Sequence, residues 1–191
     1  AGGGAMLLRK DWPHNRVLGA HLMSDGLMSE HVLAPASGTV RFPTDEARSQ
    51  GLFYLDLVQP EAMKERLNAV SMANWMHCID EALRKSGLEA EGRPYTRSDI
   101  GYLNVLHMKP SAHQDMLRRL GLTEDRSVYL SEYGHVGQQD AMFSIVEGLR
   151  QGRLRDGDLM VIVAAGIGYA WGAACVRWGS QTIGNSQSPI G

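Results

Sequence analysis

"DLMVIVAAGIGYAWGAACVRW", residues Asp158 to Trp178, decides how this chain folds. From Leu159 to Ala165 no polar residue interrupts the run. A strand with one wet face alternates apolar and polar residues, so a continuous apolar run marks a strand covered on both faces. Gly166-Ile167-Gly168 breaks it as a turn, and Tyr169 to Trp178 reads as a further, last strand. Such a sheet needs helices as its cover.

Those helices lie upstream. Residues 138–151 and 111–120 have helical character, the second stopped by Gly121. Between and before them "RSVYL" (126–130) and "IGYLNVLH" (100–107) read as strands. Further back, Met63, Leu67, Val70, Ala73, Met76, Ile79 and Leu83 recur at threes and fours between Glu61 and Ser86. This is a long amphipathic helix, with Gly87 placed where a C′ glycine would end it. Residues 5–9 and 16–23 read as short strands around the turn signals Asp11, Pro13 and Asn15, and "HVLAP", "GTVRF" and "LFYLDLV" are brief strand candidates within 24–60. The order β-α-β-α-β-β with apolar strands predicts an α/β fold, a mainly parallel sheet faced by helices. One domain over residues 1–178 is expected, followed by a polar, loosely held tail at 179–191.

A chain of 191 residues can bury a core of its own. Its formal net charge of −2 gives no basic footprint for nucleic acid. Its longest apolar stretch, Leu159 to Gly168, is too short to span a bilayer as a helix. No secretory signal pattern is present, and two cysteines make no disulfide framework, so a reducing, cytoplasmic setting is expected. The first residue is Ala1, as would follow from removal of an initiator methionine or from a cut inside a longer chain.

In open α/β sheets functional groups collect at the carboxyl ends of strands. Three such ends carry candidates: His107 after "YLNVL", His135 after "SVYLSEYG", and the Gly166-Ile167-Gly168 turn. One histidine at a strand end is ordinarily a hydrogen-bonded structural residue; two beside a glycine turn make a candidate site. His14, His21, His31, His77 and His113 lack convergent spacing for a metal. Cys78, inside the long helix, and Cys175, inside an apolar strand, read as buried, inert thiols.

The succession "LHMKPSAHQDMLRRLGL", "YGHVGQQD", "LRQGRLRDGDL" and "AAGIGYAWGAACVRW" resembles, in order and spacing, the C-terminal half of the β-ketoacyl-acyl carrier protein synthase III enzymes of the thiolase superfamily. "AGGGAMLL" is similar to that family's mid-chain "DGAGA" strand, and "AMKERLNAV…IDEALRKSGL" to its long helix, so the likeness extends to about Trp178. The resemblance implies one half of a thiolase-like α/β fold, a mainly parallel or mixed five-stranded sheet with helices on its faces, packed against an N-terminal half. It implies an acyltransferase whose nucleophilic cysteine lies on that other half or on a partner chain. It implies acyl-CoA or acyl carrier protein thioesters as substrates, no further cofactor, and a homo- or heterodimer.

Carried over residue by residue, His107 falls on the family's catalytic histidine and His135 on the position usually held by asparagine. Gly168 falls on the glycine whose amide helps form the oxyanion hole. Arg118 and Arg119 fall on a basic pair that faces the acidic carrier protein; as residues alone they read as a solvated helix end. In such a site a cysteine thiolate takes an acyl group from a thioester. A malonyl thioester then loses carbon dioxide, and the enolate oxygen needs two hydrogen-bond donors, here assigned to His107 and His135. Transfer to a different nucleophile and a non-catalytic partner subunit are the alternatives. The chain departs from the family at "HMKP", where Pro110 replaces an asparagine that contacts pantetheine, and at Lys64 to Asn68, which lacks the glycine and aromatic of "GNEVF".

Overall fold

The computed structural model describes residues 2–180. Its elements in chain order are β1 (His14–Ser24), β2 (Val32–Leu33), α1 (Asp45–Ser49), β3 (Asp56–Leu57), α2 (Pro60–Glu91), β4 (Tyr102–Val105), α3 (Pro110–Leu120), α4 (Asp140–Arg150), β5 (Leu159–Gly166) and β6 (Ala170–Ser180). The main sheet has the order β1-β6-β5-β4, and β2 and β3 form a separate two-stranded ribbon.

The two faces of the sheet follow the strand period of two. Leu103 and Val105 of β4, Val161 and Val163 of β5, and Trp171, Ala173 and Cys175 of β6 point to one face. There they pack with Cys78, Ile79, Ala82 and Leu83 of α2 and Met116, Leu117 and Leu120 of α3. Tyr102, Met160 and Val176 point to the other face, against Leu130, Leu154 and the partly buried Phe143 and Ile145 of α4. The apolar run at 159–165 is therefore continuous because each of its faces meets a different set of residues.

The sheet is mixed, one of the two forms expected, with four laddered strands among the described residues where five were expected. Only β4 and β5 run parallel, in the register Leu103↔Val161 and Val105↔Val163. β5 to β6 and β1 to β6 are antiparallel. A parallel crossover takes a dozen or more residues, and the short glycine turn after β5 allows only a hairpin. The expected strand at 126–130 makes a single parallel bridge, Leu103↔Ser127. Side chains occupy what a longer ladder would use: Ser127 Oγ donates to the Leu103 carbonyl at 2.8 Å, and Arg153 donates to the Ser127 carbonyl at 2.6 Å.

Other boundaries also moved. Residues 5–9 form no strand; Gly2 and Gly4 lie against Phe143 and Met142 of α4. "GTVRF" is not a strand, and α1 starts nearby, capped by Thr44 Oγ1, which accepts from the Ala47 amide at 3.1 Å. Gly87 does not end α2. The helix passes through it to Glu91 and stops at Gly92, which takes the left-handed conformation at φ 69°. Gly87 has another purpose: a Cβ there would lie 2.1 Å from the Tyr95 amide nitrogen and 2.3 Å from the Arg93 carbonyl, so the returning chain crosses the helix at that point. β6 continues through Ser180, and the tail expected from 179 onward lies, for residues 181–191, outside the described residues.

Candidate active site

The site is built where β4 and β5 end. The Leu106 amide still donates to the Val163 carbonyl at 3.1 Å, so the parallel pairing holds the backbone up to the residue before His107. α4 then brings Asp140 in at its first position, 1% exposed. One oxygen of that carboxylate, Oδ2, accepts the His107 amide at 2.8 Å and lies 2.6 Å from His135 Nδ1. The other, Oδ1, accepts the Val136 amide at 2.9 Å. The backbone of one predicted histidine and the ring of the other are thus tied to one buried aspartate that the sequence reading left out.

Burial works to raise the Asp140 pKa, but the amides of Val136 and His107 and the His135 ring outweigh it and hold the carboxyl below its ordinary 3.8. Asp140 is therefore ionised at neutral pH and can only accept. It follows that His135 carries its proton on Nδ1, and in the neutral ring Nε2 holds a lone pair. The His135 side chain is 55% exposed, so that second nitrogen's ring edge is open while Asp140 is enclosed.

His107 is held differently. Its Nδ1 is buried and without a hydrogen-bond partner among the described residues. Pro110, which opens α3 at a position where a missing N–H costs the helix nothing, has no amide to offer it. The ring lies 5.0 Å from that of Tyr129, which also meets His113 edge-on at 5.4 Å. Tyr129 is fixed in turn by its hydroxyl, which donates to the Met108 carbonyl at 3.1 Å. His113 is buried, and burial pushes its pKa below 6.5, so it packs as a neutral ring.

Gly168 stands in the turn between β5 and β6 with φ 136°, a conformation that residues with side chains rarely adopt. Gln138 Nε2 donates to the Ala165 carbonyl at 3.3 Å, tying the His135 loop to the end of β5. The turn is braced from behind by reciprocal backbone bonds between Tyr169 and Asp25, at 2.8 and 2.9 Å. Among the described residues no hydrogen bond joins Gly168 to either imidazole. The glycine turn and the histidines share an edge of the sheet, not a bond.

The other candidates lie elsewhere. Cys78 and Cys175 are fully buried free thiols on the α2 face, and burial pushes both pKa values up. Neither has the environment of a nucleophile. Arg118 and Arg119 end α3, and both are ion-paired with Asp115 of the same helix, Arg119 at 2.7 Å. Their side chains remain 76% and 49% exposed. Among the described residues no group of three or more His, Cys, Asp or Glu could hold a metal ion, and no helix is long and apolar enough to cross a membrane.

Residues 88–178 match the family model described as the C terminal of 3-oxoacyl-[acyl-carrier-protein] synthase III. The chain is 30% identical over 177 residues to β-ketoacyl-[acyl-carrier-protein] synthase III of Symbiobacterium thermophilum, covering 92% of this chain and 50% of the relative. This chain corresponds to the C-terminal half of a synthase III-like protein. The same enzyme of Chlorobaculum tepidum is 26% identical over 178 residues, again covering 50% of its length. In fold, the chain superposes on the crystal structure of 3-oxoacyl-(acyl carrier protein) synthase III from Pseudomonas aeruginosa PAO1 with a TM-score of 0.66 at 23% identity, over 86% of this chain and 46% of that one. The synthase III-like chain thus spans about half the length of the curated relatives it matches, and its fold is thiolase-like.

Asp140 is the residue that sequence reasoning missed in this half. Its signal was available: an acidic residue in the first turn of the helix that follows His135. Acids at that position read first as partners of the helix dipole. Only the turn of the chain between them shows that its oxygens face backward, onto His107 and His135.

Proposed function

We propose that the complete protein is an acyltransferase of the synthase III type that works through a thioester-derived acyl group held on a cysteine outside residues 1–191. The observation that supports this most is that one buried carboxylate, Asp140 at the end of β4, takes the backbone amide of His107 and the ring of His135. These are the positions that fall on the catalytic histidine and asparagine of the enzymes this half resembles. A carbonyl under attack by a thiolate develops negative charge, and the Gly168 amide, in the adjacent turn, is the group assigned to receive it. Acyl-CoA or an acyl carrier protein would deliver the acyl group, with Arg118 and Arg119 offering exposed positive charge to an acidic carrier. The cytoplasm, where such thioesters are handled, is the setting this reading assigns. No cofactor beyond the thioester is invoked, and the working unit is taken to be a dimer.

Two acceptors fit the fold: a malonyl-type thioester, which would form a carbon–carbon bond after decarboxylation, and a nucleophile that brings its own proton. The Asp140–His135 contact favours the second. The reading is tested by incubating the full-length protein with acetyl-CoA or a longer acyl-CoA and measuring its intact mass. Covalent gain of one acyl group on a cysteine outside residues 1–191 is expected. A protein that stays unmodified with every chain length would leave this half as a non-catalytic subunit.

A further inference from the structure

We infer that Asp140 is a positioning residue that fixes the His135 proton on Nδ1, so that Nε2 serves as a proton acceptor and the enzyme passes its acyl group to a protic nucleophile, an alcohol, an amine or water. The inference rests on the acyltransferase reading above and narrows it to a class of acceptor.

The geometry separates the two chemistries. Decarboxylative condensation leaves an enolate oxygen that must be met by two hydrogen-bond donors. An asparagine at position 135 would donate in any state. A neutral His135 cannot, because its one ring proton is given to Asp140 at 2.6 Å. Its Nε2 then presents a lone pair, which repels an enolate oxygen and attracts an O–H or N–H. Two backbone amides, from His107 and Val136, keep the carboxylate in place and ionised, so the tautomer is built in by the fold. The carboxylate is enclosed while the ring it orients is open on its other side.

The step is that of a general base. As the acceptor's oxygen or nitrogen bonds to the acyl carbonyl carbon, its proton passes to His135 Nε2 and the carbonyl electron pair moves onto oxygen. When the tetrahedral adduct collapses, the carbon–sulfur bond breaks. The departing cysteine sulfur takes the proton back from Nε2, leaving an ester, amide or acid and a free thiol. No redox partner is needed.

Two measurements test this. The first is the ¹⁵N spectrum of His135 in the full-length protein, read where the ring is neutral. The Nδ1–H tautomer is expected, and a dominant Nε2–H form would overturn the inference whatever the enzyme's activity. The second uses the acyl-loaded full-length protein and follows loss of the acyl group into water, the one protic acceptor always present, and into malonyl-CoA. Loss into water is expected to slow at least about tenfold in both His135→Asn and His135→Ala, since neither can take a proton. If His135→Asn behaved as wild type, or if the wild-type acyl group were consumed only with malonyl-CoA and release of carbon dioxide, His135 would be a donor and the inference would fall. Failure of the wild-type protein to load would instead remove the acyltransferase reading, and the tautomer would still be decided by the spectrum.

Discussion

Two pairs of histidines lie in this chain, and they are organised in opposite senses. His107 and His135 share the buried carboxylate of Asp140. His21 of β1 and His77 of α2 meet edge-on at 5.2 Å, and the neighbour of their pair is a cation: Lys85 Nζ lies 2.9 Å from His21 Nδ1. An ammonium can only donate, so His21 Nδ1 must accept and its proton sits on Nε2. Burial first, then the charges of Lys85 and His77, press the His21 pKa below 6.5. Closeness of two imidazoles, as in His21 and His77, is thus not enough to make a site. The sign of the charge behind the ring decides which nitrogen faces outward and whether it gives or takes a proton.

The strongest way to break this comparison is Asp140→Ala. It strips the acceptor from two part-buried amides and from His135, and a loss of about 3 kcal/mol is expected in urea denaturation of this chain. A loss under about 1 kcal/mol would mean that the carboxylate does not organise the site. Asp140→Asn sharpens the point through pH. The Asp140 pKa is lower folded than its ordinary 3.8, so its contribution to stability is fully present above that value and is lost as the pH falls through the folded one. The stability gap between wild type and Asp140→Asn should therefore be wide near neutrality and close below about pH 4. A gap independent of pH would show that the charge plays no part.

Smaller effects follow outward. His135→Ala removes one charge-assisted bond from a carboxylate that keeps its two amides, and about 1 kcal/mol is expected by the same assay. Removing the exposed pair's partner, Lys85→Met, should change stability by less than about 0.5 kcal/mol. It should also raise the His21 pKa toward 6.5, which NMR titration would show; an unmoved His21 would mean that the Lys85 charge plays no part in its value. The sign is the reverse of a histidine with an anionic partner. Because the folded ring is the weaker base, what stability His21 adds is present above the unfolded value and fades as the pH drops through it.

Much of the architecture was legible. The threes-and-fours pattern from Met63 to Leu83 is α2, Gly121 does end α3, and the apolar run at 159–165 is β5. The misreadings share a cause. A glycine after an amphipathic run, as Gly87 is, commonly ends a helix, and the close approach of Arg93 and Tyr95 is not written in local sequence. "RSVYL" has strand composition, but Arg153, which takes the Ser127 carbonyl, comes from much later in the chain. The antiparallel return of β6 could have been read from the shortness of the glycine turn alone.

The sequence by itself determined which residues are apolar and at what period, and so which segments become helix or strand and which face of each is buried. It also placed His107, His135 and the glycine turn at strand ends, because strand ends follow from the same period. The tertiary structure alone decided what those residues can do. A histidine's tautomer is set by the nearest charge in space, and Asp140 reaches His107 across 33 residues of chain. Periodicity reports a residue's environment only as inside or outside; it does not report which atom a buried oxygen faces.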